Sequence, residues 1–259
     1  MLPMVRMMQQ IYHASISYET RLWLYKLRHR KQYERLRSVV HRSPKGDFSL
    51  KPFDEQQCIF VHITKTAGTS ISKSLFGYLP YHYTATDYRV IYGRPTFKQY
   101  FKFAFVRNPW DRLYSAYRYL KAGGWNEKDQ LWAETHLGAF DDFNSFIKHW
   151  LTEEHIEGHI HFRPQYRFIC DTKSRLLIDY LGYFETINDD FEKISKKLKI
   201  DASIGRHNAN PGNSYRDVYD DESRDIVASV YSTDIKLFGY EFDGIRERKT
   251  INGLPNTGT

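Results

Sequence analysis

The sequence predicts an α/β fold: a central parallel sheet flanked by helices, preceded by a basic, helical N-terminal arm. Three observations carry this reading. Apolar runs of strand length occur at 57–63, 101–106 and within 176–184. Apolar residues at helical spacing follow each of them. Strands that alternate with helices build a parallel sheet layered between helices. The 259 residues, 27% charged and 41% hydrophobic, suit a globular chain with a sizeable core. This composition excludes collagen, a coiled coil, a disulfide scaffold and a wholly disordered chain. No run approaches the ~18 apolar residues of a membrane span.

The elements follow in order. Residues 1–46 hold ten Lys/Arg against Glu19 and Glu34, whereas the remaining residues are close to neutral. The high net charge of +7 therefore belongs to this arm. Within it, Leu22, Tyr25, Leu36 and Val40 fall at roughly helical spacing, which leaves three readings: a helix docked on the body, a membrane-surface helix or a polyanion contact. Ser43-Pro44-Lys45-Gly46-Asp47 marks the boundary to a body spanning 47–243. The run from Gln57 to Ile63 is a buried strand, and Lys65 to Ser70 is a loop before a helix carrying Ile71, Leu75 and Phe76. Phe101–Val106 is a second strand, and Pro109 opens a helix carrying Trp110, Leu113, Tyr117 and Leu120. Further helices are expected over 140–151, 190–198 and 221–231, a strand within 176–184 and a loop over 208–215, with the body closing at Phe242.

Residues 244–259 read as a flexible polar tail. Leu254-Pro255-Asn256-Thr257-Gly258 matches a sortase pattern but has no hydrophobic stretch or basic residues after it, so it reads as coincidence or an added tail. Cys58 and Cys170 lie in apolar surroundings and read as buried thiols. With no secretion signal, no N-x-[ST] sequon and no cysteine framework, a cytoplasmic location is expected.

The loop after the first strand carries the strongest chemistry. A helix N-terminus offers unpaired N–H groups and partial positive charge. Gly68 permits a tight turn and close backbone approach. Lys65 adds a charge, and Thr66, Thr69 and Ser70 add hydroxyls, which together make a phosphate or sulfate cradle. Lys65 precedes the glycine, so this is no Walker A loop. Arg107 ends the second strand, and Ser115 lies eight residues on, about 80° past two helical turns. The pair suits a second anionic group, Arg107 through forked bonds. Two cradles at two strand ends imply a ligand with two separated anions.

These residues resemble a known family. His62-Ile63-Thr64-Lys65-Thr66-Ala67-Gly68-Thr69-Ser70 is similar to the 5′-phosphosulfate loop of carbohydrate sulfotransferases, and Phe103 to Tyr117 to their 3′-phosphate segment. Asp234 to Tyr240 is similar to the end of that domain. The resemblance covers roughly 57–242 and implies a P-loop-like sheet, 3′-phosphoadenosine 5′-phosphosulfate (PAPS) as co-substrate, no metal, and sulfuryl transfer to a sugar hydroxyl. It implies that Lys65 contacts the bridging oxygen between phosphate and sulfate. Thr66, Ala67, Gly68, Thr69 and Ser70 would cradle the 5′ end, and Arg107 and Ser115 would bind the 3′-phosphate. Thr64 stands where the family usually has Pro, which is expected to loosen the start of the loop. Tyr183 stands where related chains often carry Arg.

A general base must take the acceptor's proton, and His suits neutral pH. The first candidate is His82, between the two motifs, where related enzymes place a catalytic His. Asp87 and Glu185 are alternative bases. His155, His159 and His161, with Arg163 and Arg167, read as an acceptor-binding rim suited to an acidic sugar. Asn208 and Asn210 lie in a loop that could close over the nucleotide, and Arg216 would either add charge there or form a helix-end salt bridge. The expected partner is a carbohydrate acceptor, with an acidic or lipid-linked one as an option, in a bacterial cell, with no specific nucleic acid. Peripheral membrane contact would run through residues 1–46. The competing readings are a nucleotide kinase using ATP and Mg²⁺ and a non-enzymatic polyanion-binding protein.

Overall fold

A computed structural model describes residues 18–39, 46–204, 214–249 and 251. The expected loop at Asn208 and Asn210 and the Leu254–Gly258 pattern lie outside the described residues. Three strands, β1 (Cys58–Val61), β2 (Phe101–Val106) and β3 (Tyr180–Tyr183), form one parallel sheet in the order β1-β2-β3. The register aligns Phe60 with Phe103, Ala104 with Leu181 and Val106 with Tyr183. Continuous burial explains why β1 reads as an unbroken apolar run, since helices cover both faces of a parallel sheet.

The helices in chain order are α1 (Tyr18–Arg28), α2 (Arg30–Ser38), α3 (Lys51–Glu55), α4 (Gly68–Phe76), α5 (Ala85–Tyr92) and α6 (Arg94–Gln99). They continue with α7 (Pro109–Lys121), α8 (Glu127–Leu137), α9 (Phe143–Trp150), α10 (His155–Gly158) and α11 (Tyr166–Ile169), then α12 (Ile187–Leu198), α13 (Asp221–Val230) and α14 (Ser232–Phe238). Pro109 sits in the first turn of α7, and the Asn108 side chain caps it by accepting from the Trp110 N–H. Asp142 and Asp220 cap α9 and α13 in the same way. One apolar cluster surrounds the sheet, and a second joins α7, α9 and α13.

Two boundaries differ from expectation. The arm is two helices rather than one. α2 docks on the body, burying Leu36 and Val39 in the sheet cluster, and Arg37 bonds the Ile91 carbonyl. The body also continues beyond Phe242, because β4 (Tyr240–Glu241) pairs with β5 (Gly244–Ile245). Past that hairpin, Arg248 pairs with buried Asp190, and the Lys249 N–H donates to the Tyr183 hydroxyl at 2.9 Å. Tyr183, the family departure, thus fastens a segment expected to be free. Among the described residues no helix is long and apolar enough to cross a membrane. Cys58 and Cys170 are both buried free thiols, and burial pushes each up to about 12.

Candidate active site

The carboxyl ends of the strands open onto a cleft of about 1670 Å³, the position at which open parallel sheets hold ligands. β1 leads into the loop of Lys65, β2 ends at Arg107, and β3 leads into Phe184. All three residues line the cleft.

The loop turns through two left-handed residues, Lys65 at φ 67° and Ala67 at φ 61°. Non-glycine residues in that region hold backbone strain, which concentrates at ligand sites. α4 then begins at Gly68, so its positive end forms a cleft wall with Gly68, Thr69 and Ser70. Gly68 has a different role from the expected one. It is not left-handed. Its missing side chain admits the His62 ring, which would lie 1.9 Å from a Cβ placed there. Thr66 also departs from expectation: its side chain is fully buried, and its hydroxyl donates to the Ile63 carbonyl at 2.9 Å. It shapes the loop from below and offers no hydroxyl to the cleft.

Thr64 does not loosen the loop. The fully buried Arg112 donates from Nε to the Thr64 carbonyl and from Nη2 to its hydroxyl, and that hydroxyl donates to the Ile160 carbonyl at 3.1 Å. Arg107 lies one strand over. Its Nε and Nη2 grip both oxygens of Asp111, at 2.7 and 2.8 Å, and its Nη1 reaches the Lys65 carbonyl at 3.2 Å. The guanidinium also stacks on Phe184, 4.0 Å from the ring centroid. Of its five N–H groups, these three bonds leave two. Ser115, half-buried on α7, lines the same cleft. Asp111 was not singled out in the sequence, although its place four residues after Arg107 is a helical ion-pair spacing.

His82 also lines the cleft. Its Nδ1 lies 3.0 Å from the His62 carbonyl. A carbonyl only accepts, so Nδ1 carries the proton and Nε2 is the basic nitrogen. Burial lowers its pKa, against the opposing bond to His62 and the charge of Asp129. His62 packs at 4.3 Å on the His82 ring, and burial lowers its own pKa well below 6.5. The alternative bases are engaged elsewhere. Asp87 forms the α5 capping box with Thr84. Glu185 accepts from the Asn108 N–H at 2.7 Å and the Tyr240 hydroxyl at 2.9 Å.

The expected acceptor rim does not assemble. His161 lines the cleft, and His159 stands behind it, each with Nε2 3.9 Å from Asp129 Oδ1. His155 instead stacks on Trp150. Arg167 pairs with Glu157 at 2.7 Å, and Arg163 lies 4.0 Å from the same carboxylate. The reason is that nearby partners hold these side chains, Trp150 for His155 and Glu157 for the two arginines. Arg216 does reach the cleft and is held by the Asp243 carbonyl.

The sequence reading missed Tyr119 and Asp129. The Lys65 ammonium lies 3.9 Å from the Tyr119 ring centroid, and the Tyr119 hydroxyl donates to Asp129 Oδ2 at 2.7 Å. Burial lowers the Lys65 amine to about 8, helped by Arg107 and Arg112 and opposed by Asp129. Asp129 titrates low, because bonds from Tyr119 and the Trp125 N–H, with the nearby His161 and His159, outweigh its burial. Asp129 sits in the first turn of α8, where the capping Asn126 side chain accepts from its N–H. Among the described residues no group of three His, Cys, Asp or Glu is arranged to hold a metal ion.

Comparison with known proteins adds a family to this geometry. The Sulfotransferase family matches residues 50–241, most of the chain. An uncharacterized protein of Archaeoglobus fulgidus is 27% identical over 128 residues, covering 49% of this chain and 91% of its own length. No solved structure matches the chain significantly.

Proposed function

From the premise that the chain belongs to the sulfotransferase family, we propose that it moves a sulfuryl group from PAPS to a carbohydrate hydroxyl in this cleft. The observation that carries the reading is the meeting of two anion-holding groups on one cleft: the loop of Lys65 and α4, and the pair Arg107 and Ser115. Their separation at two adjacent strand ends suits a nucleotide with a 5′-phosphosulfate and a 3′-phosphate.

The reaction is treated by analogy with in-line phosphoryl transfer, dominated by positioning and electrostatics. The N-terminal N–H groups of α4 cradle the 5′ end, and the two remaining Arg107 donors with Ser115 take the 3′-phosphate. His82 Nε2 accepts the proton of the acceptor hydroxyl as its oxygen bonds to sulfur. Lys65 meets the negative charge that develops on the phosphate oxygen as the sulfur–oxygen bond breaks. The products are the sulfate ester and 3′-phosphoadenosine 5′-phosphate. His161 lines the same cleft, and Arg118 and Arg216 add positive charge to it, in keeping with an acidic acceptor.

Calorimetric titration with 3′-phosphoadenosine 5′-phosphate tests this reading, with AMP and ATP plus Mg²⁺ as controls. Binding that needs the 3′-phosphate and is lost in Arg107→Ala is expected. A preference for ATP with Mg²⁺ would put the kinase reading in its place.

One observation favours a second contact. Trp23 and Leu27, one turn apart on α1, are 57% and 63% exposed within a strongly basic segment. We read this as a face for an anionic membrane surface, where lipid-linked acceptors would lie. Vesicles of neutral and anionic lipid, sedimented with the full chain and with Trp23→Ala/Leu27→Ala, test it. Binding to anionic vesicles alone, weakened by the substitutions, is expected.

A further inference from the structure

The Lys65 amine sits among groups that oppose its charge. Arg107 and Arg112 repel it from the second motif, and His161 lies close enough to be held neutral partly by it. The Tyr119 ring face, 3.9 Å from Nζ, and the Asp129 carboxylate act the other way. The ring is itself fixed. Its hydroxyl donates to Asp129 Oδ2, which also accepts from the Trp125 N–H at 3.3 Å and Asn126 Nδ2 at 3.1 Å. Gly124, at φ 66°, lets the turn close on that carboxylate: a Cβ there would lie 2.2 Å from the Asp129 Cβ. The face of a tyrosine ring attracts a cation, more strongly when water is excluded. Donating a hydrogen bond to a carboxylate adds electron density to the ring.

We propose that Tyr119 is a positioning residue for Lys65: its ring, locked by Asp129, holds the ammonium group at the cleft against the repulsion of Arg107 and Arg112. The consequence for catalysis rests on the transfer reading. The contact itself does not. Burial brings the Lys65 amine to about 8, so a modest loss of support discharges a large fraction of it near neutral pH.

The test is the pH dependence of Lys65 acylation by an amine-reactive ester, read by peptide mass spectrometry on the full chain. Tyr119→Leu keeps apolar bulk but removes the ring, and is expected to lower the midpoint by about half to one pH unit. Tyr119→Phe keeps the ring face and loses only the bond to Asp129, so it should restore most of the shift, whereas Asp129→Asn should lower the midpoint by removing a charge that itself raises the Lys65 pKa as well as the ring's anchor. Thermal melting checks that each variant folds, and Tyr119→Met replaces Tyr119→Leu if that one does not. An unchanged midpoint in a folded ring-less variant, or failure of Tyr119→Phe to restore it, overturns the proposal. Failure of the transfer reading is seen separately, as absent binding of 3′-phosphoadenosine 5′-phosphate to the wild type.

Discussion

Arg112 and Thr64 join the two candidate anion-binding motifs through a buried fork, Nε to the Thr64 carbonyl at 2.9 Å and Nη2 to its hydroxyl at 3.1 Å. One side belongs to α7 and the other to the loop after β1. The position of the loop therefore depends on a guanidinium from the second motif. Burial lowers the Arg112 pKa, with Tyr231 and Asp234 opposing. A buried charge of this kind is stabilising only while its bonds are made.

Arg112→Met removes both bonds and leaves the Thr64 carbonyl without this donor. A loss of about 2–3 kcal/mol in urea unfolding is expected. Weaker binding of 3′-phosphoadenosine 5′-phosphate should accompany it, because the loop is no longer tied to α7. Nucleotide affinity equal to that of the wild type would show that the loop holds its shape without the fork.

Gly68→Ala tests a close approach. The new methyl would overlap His62 Cδ2, and His62 is itself buried under His82. Overpacking of this kind costs about 1–3 kcal/mol. Chemical denaturation should show that loss, and a neutral result would mean that the His62 ring swings aside freely.

His82→Ala removes the proposed base, which meets the loop of Lys65 through His62 and, in the hydrogen bonds of the described residues, contacts neither Arg107 nor Ser115. A drop of about 10²–10⁴-fold in turnover with nucleotide affinity retained is the expected pattern. In the wild type, activity should rise through an acid limb that lies below the ordinary imidazole range, because burial lowers the His82 pKa, and fall near 8 as Lys65 loses its proton. Steady-state rates across pH separate the limbs: the acid limb should vanish in His82→Ala, and the basic limb should remain in the residual activity.

Stability should fall on acidification before the carboxylates titrate. His62, His82, His159 and His161 all have pKa values lowered by burial. Below about 6.5 the unfolded chain binds protons that the folded chain refuses, so the stability these groups hold above that pH is lost as pH falls. Each contributes up to ~1.4 kcal/mol per pH unit until its own folded pKa is passed. Asp234 runs the opposite way. Burial raises it to about 6, so its contribution declines as pH rises from about 4 to 6. Urea midpoints at pH 7.5, 6.5 and 5.5 decide the balance. No loss between pH 7.5 and 6.5, above the Asp234 window, would mean that these imidazoles take up protons while folded.

Much of the fold was legible because its signals are local. Phe101–Val106 is a strand over the expected residues, and Pro109 opens α7 where its fixed φ fits a first turn. Helix ends were harder. α12 starts at Ile187, three residues before the expected Asp190, because Asp190 is drawn inward to bond Tyr180, Tyr183 and Thr186. The strap from 244 to 249 was hidden because its polar residues find buried partners, Asp190 and Tyr183, that lie far away in the chain.

The sequence by itself determined the order of strands and helices and pointed to the two candidate anion-binding motifs and the candidate base, because each depends on residue types within a short window. Only the tertiary structure decided which neighbours those residues meet. It turned Thr66 inward, made Gly68 a seat for His62 and tied Thr64 to Arg112. It also scattered His155, Arg163 and Arg167 away from the cleft while bringing Tyr119 and Asp129 to Lys65. The physical reason is that periodicity reports only which face a residue occupies, whereas the turn of an irregular loop, as at Thr66 and Gly68, and contacts between segments about 50 residues apart, as at Thr64–Arg112 and Lys65–Tyr119, are set by packing.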